Sequence, residues 1–473
     1  MVRLPRLAGP HPRSLSLGGA ALPRFPPAGH PNAAAASGTP VPRSGRGRSR
    51  VRGRLLTFAF LLAVITYLDR ICISAAAPFM MEELHLTVLQ MSVVFSAFTL
   101  AYSLFEIPSG WLGDVRGPRR VLTRIVLWWS GFTMLTGAAR GFPSLLTTRF
   151  LFGAGEAGAF PNMVRAFSRW FPSRERGTAN GVLFFGSRVG GMLSAPIALL
   201  LIRRWGWRAS FLAFGALGLA WAAAWYAWYR DRPSEHPAIS AEELAWIEQD
   251  GRADADARRT PWRALVTSRN LYAICAMYFA FGYGLYFYFT WLPTYLIREL
   301  GFSLLGGGLF AALPFGLAGT ADLVGGWLTD RLARLHGLRV ARCGLGFASF
   351  MTSAALVFAS TVAPQSIAKA VLLAFALASA DLAIGACWGV CLDVGAEHAG
   401  VITGCMNTFG NLGGLIGPLV VGIAVDRWHS WTFPFYVTAL VYACGAGAWL
   451  AIDPTRRIGA ISPTRPLATP TRS

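Results

Sequence analysis

Twelve stretches of about 20 mostly apolar residues, each long enough to cross a ~30 Å hydrocarbon layer as a helix, recur along this 473-residue chain. Backbone groups find no water inside a bilayer, so such segments must close their hydrogen bonds within each span. The spans are expected at 54–77, 89–113, 120–140, 143–166, 178–202, 208–229, 269–297, 303–328, 341–361, 366–391, 398–423 and 432–452. The longest hydrophilic loop, 230–268, separates a 54–229 half from a 269–452 half; Glu242, Glu243, Glu248 and Asp250 mark a short surface helix within it. The expected fold is an all-α integral membrane protein, twelve transmembrane helices in two pseudo-symmetric halves of six. A hydrophobic fraction of 54% against 14% charged residues fits a bilayer and not a soluble domain.

The formal charge of +20 resembles a nucleic-acid signature, yet ten arginines precede residue 55, ahead of the first acidic residue, Asp69. Most other excess arginine lies in short loops, where positive charge orients a membrane protein, so no nucleic-acid partner is expected. Residues 1–53, rich in Pro, Arg, Ala, Gly and Ser without apolar periodicity, and residues 453–473 are expected to be disordered. A single lysine, Lys369, against 42 arginines suggests a GC-rich bacterial gene with Val51 as an alternative start; a plastid transit peptide is the other reading of this acid-free leader. The seven cysteines form no C-x-x-C and read as small buried hydrophobes, while the histidines fall in the tail, loops and helix ends. No metal site and no cofactor are expected, and no nucleophile–base set or phosphate-binding loop suggests an enzyme.

Internal similarity supports the two halves. Gly110-Trp111-Leu112-Gly113-Asp114 after the second span matches Gly326-Trp327-Leu328-Thr329-Asp330 after the eighth. Gly186-Ser187-Arg188-Val189-Gly190-Gly191 with Pro196 in the fifth matches Gly410-Asn411-Leu412-Gly413-Gly414 with Pro418 in the eleventh. Repeats at a six-span offset imply a cavity between halves that rock about it.

The pattern Gly110-x3-Asp114-x2-Gly117-x-Arg119-Arg120 resembles the cytoplasmic loop signature of the major facilitator superfamily, with Val115 at the usual basic position. This resemblance implies that both termini are cytoplasmic and makes Gly110, Asp114, Gly117, Arg119, Arg120 and Asp330 an inner gate. Tyr67-Leu68-Asp69-Arg70, Arg149-x3-Gly153-x-Gly155-Glu156-x-Gly158, Phe160-Pro161 and Trp170-Phe171-Pro172-x2-Glu175-Arg176-Gly177 are similar to the anion:cation symporter family within it. That family includes bacterial sugar-acid and aromatic-acid importers. The resemblance implies that Arg70 contacts the anion, that Glu156 and Asp69 carry coupling protons, and that Tyr102 and Asn411 contact substrate. Tyr278 stands where some sugar-acid importers carry Gln, and the aromatic run after it favours a less polar or aromatic acid.

Charges at membrane depth cost about 2.5 kcal/mol or more by insertion scales, so they are expected to work. Counting along the helices puts Asp69 about 22 Å in and Arg149 at the same level, which suggests a pair; Glu156 falls level with Arg188, which suggests a second. Arg70 is then left to grip a substrate carboxylate through its planar fork, with Tyr67 and Ser74 beside it at i−3 and i+4. Glu156 facing Arg70 is the rival pairing. Asp322 and Asp381 show no evident cationic partner, and Glu106 reads as part of the inner gate. Asn407 and Asn411 share one helix face, with glycines nearby that permit close helix approach.

The expected protein is a monomeric secondary transporter that imports a small organic anion with a proton, or sodium in its place, through the bacterial inner membrane or, alternatively, a plastid membrane. Efflux of drugs or metabolites and a non-transporting sensor are the alternatives.

Overall fold

The structure, a computed structural model, describes residues 50–248, 262–395, 398–456 and 458. Nearly all of both expected tails, and Asp250 of the central loop, lie outside the described residues. Residues 50–53 belong to the first turn of a helix and not to a tail.

In chain order the helices are α1 (Arg50–Glu83), α2 (Val88–Arg116), α3 (Pro118–Gly137), α4 (Phe142–Glu156), α5 (Ala159–Trp170) and α6 (Ser173–Trp228). The central loop carries α7 (Ala241–Glu248), the expected surface helix, and α8 (Trp262–Val266). There follow α9 (Arg269–Thr290), α10 (Leu292–Thr294), α11 (Leu304–His336), α12 (Leu345–Val362), α13 (Ser366–Asp381), α14 (Ile384–Gly395), α15 (Ala399–Trp428) and α16 (Thr432–Ala451).

Nine helical runs among the described residues are long and apolar enough to cross a membrane. One of them, α6, holds two crossings: Gly206 has φ +81°, a left-handed conformation open to glycine, and the chain turns back there. α3 supplies the third crossing and α4 with α5 the fourth, which brings the total to the expected twelve. Three spans expected as single helices are interrupted. Span four breaks at Ala157-Gly158, span ten at Leu382-Ala383, and span seven at Trp291, two residues before Pro293, whose ring nitrogen cannot donate a hydrogen bond.

α1 packs along α6 and α9 along α15, while α2 against α15 and α11 against α6 join the first six spans to the last six. Several of these joining contacts lie at the end of the molecule that carries His85. Asp426, near the end of α15, accepts the backbone N–H of Val88 at 3.1 Å and of Leu89 at 2.9 Å, satisfying otherwise orphaned donors of the first turn of α2. Thr87 caps the same turn through a reciprocal pair with Gln90. Arg298 donates to the Pro78 carbonyl, and Phe95 meets Trp291 edge-on at 5.2 Å.

Candidate functional site

Arg70 lies midway along α1, where a guanidinium needs partners to leave water. It finds them on three sides. Its Cζ sits 5.1 Å from the Tyr67 ring, 5.1 Å from Phe98 and 4.9 Å from Tyr102, distances at which aromatic faces attract a cation. Its Nε donates to Glu156 Oε1 at 3.0 Å, and Nη2 contacts the same oxygen. Glu156, the last residue of α4, has a side chain only 1% exposed, and its Oε2 accepts no hydrogen bond.

This geometry corrects the pairing expected from depth. Glu156 answers Arg70, the rival arrangement, and Arg188 turns instead to the last six spans: its Nε meets Asp322 Oδ2 at 2.7 Å and its Nη1 meets Asp381 Oδ2 at 3.2 Å. Asp322 and Asp381 thus have the cationic partner the sequence did not reveal. Asp69 and Arg149 are electrostatic neighbours, but they form no direct ion pair; Trp129 stands beside Asp69, and the Nε and Nη1 of Arg149 lack hydrogen bonds. Arg149 rests on aromatic faces, 4.1 Å from the Phe152 ring and 5.4 Å from the Phe98 ring it shares with Arg70. Ser74 does not serve Arg70 either; its hydroxyl donates to the Ile71 carbonyl of its own helix. Depth along a helix is one coordinate, and the azimuth that selects a partner is set by packing.

Arg70 opens onto a cavity of about 190 Å³ between the first six and last six spans. Tyr67, Tyr102, Tyr278 and Asn411, the other expected substrate contacts, all line it. Nine of its sixteen lining residues are aromatic, among them Phe160 and Phe184 from the first half and Phe281, Phe289 and Trp388 from the second. Three polar lining groups, Tyr286, Glu106 and Asn407, were not assigned as substrate contacts from the sequence. Tyr286 donates its hydroxyl to Asn411 Oδ1 at 3.4 Å, and Glu106, assigned to the gate, instead faces the cavity and accepts from Asn407 Nδ2 at 3.2 and 3.1 Å. The shared face of Asn407 and Asn411 was the available signal.

Glycine builds the α9–α15 wall. A Cβ at Gly282 would stand 2.0 Å from the Gly410 carbonyl oxygen, and one at Gly413 2.3 Å from that of Phe279, so these backbones touch without side chains between them. Gly410 also leaves room for the Tyr278 ring, and Gly414 for that of Tyr286.

The residues expected at an inner gate divide. Gly117 has φ +83° and ends α2 against Asp231, whose Oδ1 accepts the Arg119 N–H at 3.1 Å and an Arg169 Nη1 contact at 3.3 Å. Arg119 stacks on Tyr226 at 4.5 Å and donates to its carbonyl at 3.0 and 2.7 Å. Gly110 packs on Pro161. Arg120 and Asp330 are exposed, and Asp114 occupies the last turns of α2, its side chain outside those described. Asp231, left unremarked in the central loop, organises this end.

Residues 59–418 match the family model of the Major Facilitator Superfamily. The chain is 36% identical over 411 residues to a probable sulfoacetate transporter of Cupriavidus necator, covering 86% of this chain and 95% of that protein. It is 31% identical to a probable L-galactonate transporter of Escherichia coli (87% and 92% covered) and 30% identical to a hexuronate transporter of Bacillus subtilis (80% and 90%). Among solved structures, a bacterial homologue of the human lysosomal transporter Spinster, inward-facing and occupied, superposes with a TM-score of 0.71 at 16% identity, covering 86% of this chain and 97% of that one.

Proposed function

This chain belongs to the Major Facilitator Superfamily and is one of its anion transporters, a multi-pass membrane protein and not an enzyme; from that premise we propose that it imports a small organic carboxylate together with a proton by alternating access. The observation that carries the reading is the Arg70–Glu156 pair at the cavity wall. An incoming carboxylate competes with Glu156 for the guanidinium fork. Once displaced, Glu156 is an enclosed carboxylate that has lost its hydrogen-bonded countercharge and keeps only the Arg149 guanidinium, shared with Asp69, as a cationic neighbour, a state that burial penalises until a proton neutralises it. Anion and proton therefore enter together. When the proton leaves, Glu156 reclaims Arg70 and the anion is expelled.

Orientation follows from the arginine-rich Gly117 end, which we place in the cytoplasm of a bacterium. The contacts at the His85 end then close the outer side, so the described state faces inward. The aromatic lining and Glu106 favour an acid with one anionic group and an apolar or aromatic body over a polyhydroxylated diacid. Relatives named for sulfoacetate, L-galactonate and hexuronate set the panel to test.

Proteoliposomes holding the purified chain should accumulate at least one member of a panel of those acids and aromatic monocarboxylates under an inward proton gradient, and not under a sodium gradient alone. Glu156→Gln should keep exchange of that acid across the membrane while losing its response to the pH gradient. Full pH-gradient dependence in this variant overturns the proton role.

A further inference from the structure

Spans four and ten, six apart in order, share one local construction. α4 ends at Glu156, the pair Ala157-Gly158 follows, and α5 completes the span with 12 residues; α13 ends at Asp381, the pair Leu382-Ala383 follows, and α14 completes it with 12 residues. The residue after each carboxylate has nearly the same backbone angles, φ −53° and ψ −19° at Ala157, φ −53° and ψ −29° at Leu382. Both carboxylates are buried, and both face an arginine of the first six spans.

They differ in their charge balance. Arg188 faces two carboxylates, Asp322 from α11 and Asp381 from α13, so the cluster of three ionised groups would carry one net negative charge. Among the described residues, the titratable groups around it are Tyr67 from α1, Tyr278 and Tyr288 from α9, Cys387 from α14 and Tyr442 from α16, and none of them supplies a cation. Asp381 is wholly enclosed, and its Oδ1 receives no hydrogen bond. An uncompensated charge in such surroundings is expensive, and one proton removes it.

We propose that Arg188, Asp322 and Asp381 form a second proton-binding site, separate from Glu156, in which the two carboxylates share one proton and Arg188 answers the charge that remains. Asp322 keeps 23% side-chain exposure, while Asp381 has none, so a proton that loads the site reaches it through Asp322. The step is a single proton transfer: one carboxyl O–H bond forms when the site loads from water and breaks when it discharges. Because Arg188 lies on α6 and its partners on α11 and α13, the loaded site also bridges the first six spans and the last six. Tyr67 and Tyr278, which line the cavity, are also electrostatic neighbours of this site.

Infrared difference spectroscopy of the purified full chain, stepped between acid and alkaline pH without any substrate, tests this through the C=O stretch of protonated carboxyls. Asp381→Asn and Asp322→Asn each leave Arg188 with one carboxylate, and each should lose one carboxyl band of the wild-type spectrum; Glu156→Gln should keep that band. Wild-type protein carrying carboxyl-labelled ¹³C-aspartate should shift it with no substitution made. Persistence of the band in either aspartate variant, or its failure to shift on labelling, overturns the assignment. None of these spectra depends on uptake, so the site can fail while the transport reading stands, and the reverse.

Discussion

Arg70 works through geometry as much as charge. Its fork engages Glu156 while its flat faces lie against three rings, and an ammonium can reproduce the charge but neither the fork nor the stacking. Arg70→Lys should therefore lower uptake on the order of tenfold or more, as loss of a charge-assisted hydrogen bond implies, while leaving the thermal midpoint of the purified protein little changed. Glu106 sets a complementary expectation. Its carboxylate faces the cavity beside Asn407, where its ionised form would repel a second anionic group on a substrate. In competition uptake, Glu106→Gln should shift preference toward dicarboxylates on the order of tenfold, because like charges brought together cost several kcal/mol; unchanged preference would exclude Glu106 from selection. That Tyr67, Arg70, Tyr102, Tyr278 and Asn411 meet at one cavity was legible in the sequence, through the family resemblance for Arg70, Tyr102, Tyr278 and Asn411 and through its spacing from Arg70 for Tyr67. Depth alone did not decide between the two pairings weighed for Arg70, and the partners of Arg188 were not legible, since it crosses to Asp322 and Asp381 on helices more than 130 residues away.

At the scale of elements, two features invite direct tests. The α9–α15 seam has no room for a side chain at Gly282, so Gly282→Ala should destabilise the protein by about 1–3 kcal/mol, the usual cost of overpacking. Gly181→Ala and Gly404→Ala, where an added Cβ meets nothing within 4 Å, should leave the melting midpoint of detergent-purified protein near that of the wild type. The first turn of α2 depends on Asp426 from across the molecule, and Ser92 lies buried against Gly422 one turn away from that contact. In a background with its seven cysteines replaced, Ser92→Cys should react slowly with maleimide and severalfold faster once Asp426→Ala is added. Equal rates would mean that this carboxylate does not hold the His85 end shut. Helix count and order were readable from hydropathy, but the interruptions after Glu156 and Asp381 were not. Apolar residues flank both, and the turns that break each helix leave no mark in a scale that records only polarity.

The whole molecule joins these parts through charge. A monoanion carried with the Glu156 proton alone moves no net charge, whereas discharge of the Arg188 site in each cycle adds one positive charge inward. Uptake by wild-type proteoliposomes should therefore accelerate under an interior-negative potential, and Asp381→Asn should lose that sensitivity while keeping its response to pH. The bridging contacts at the His85 end and at Arg188 make the first and last six spans two bodies in one compact unit, and the glycine seam says more about one of them. With Gly282 and Gly413 pressed onto opposing backbone, α9 and α15 cannot slide past each other, so Tyr278, Tyr286, Asn407 and Asn411 travel together as a fixed jaw. Arg70, Tyr102 and Glu106 form the opposing jaw. If these jaws part during transport as proposed, a molecule short enough to let them part would be a passenger, and one long enough to prop them at a single spacing would be a wedge.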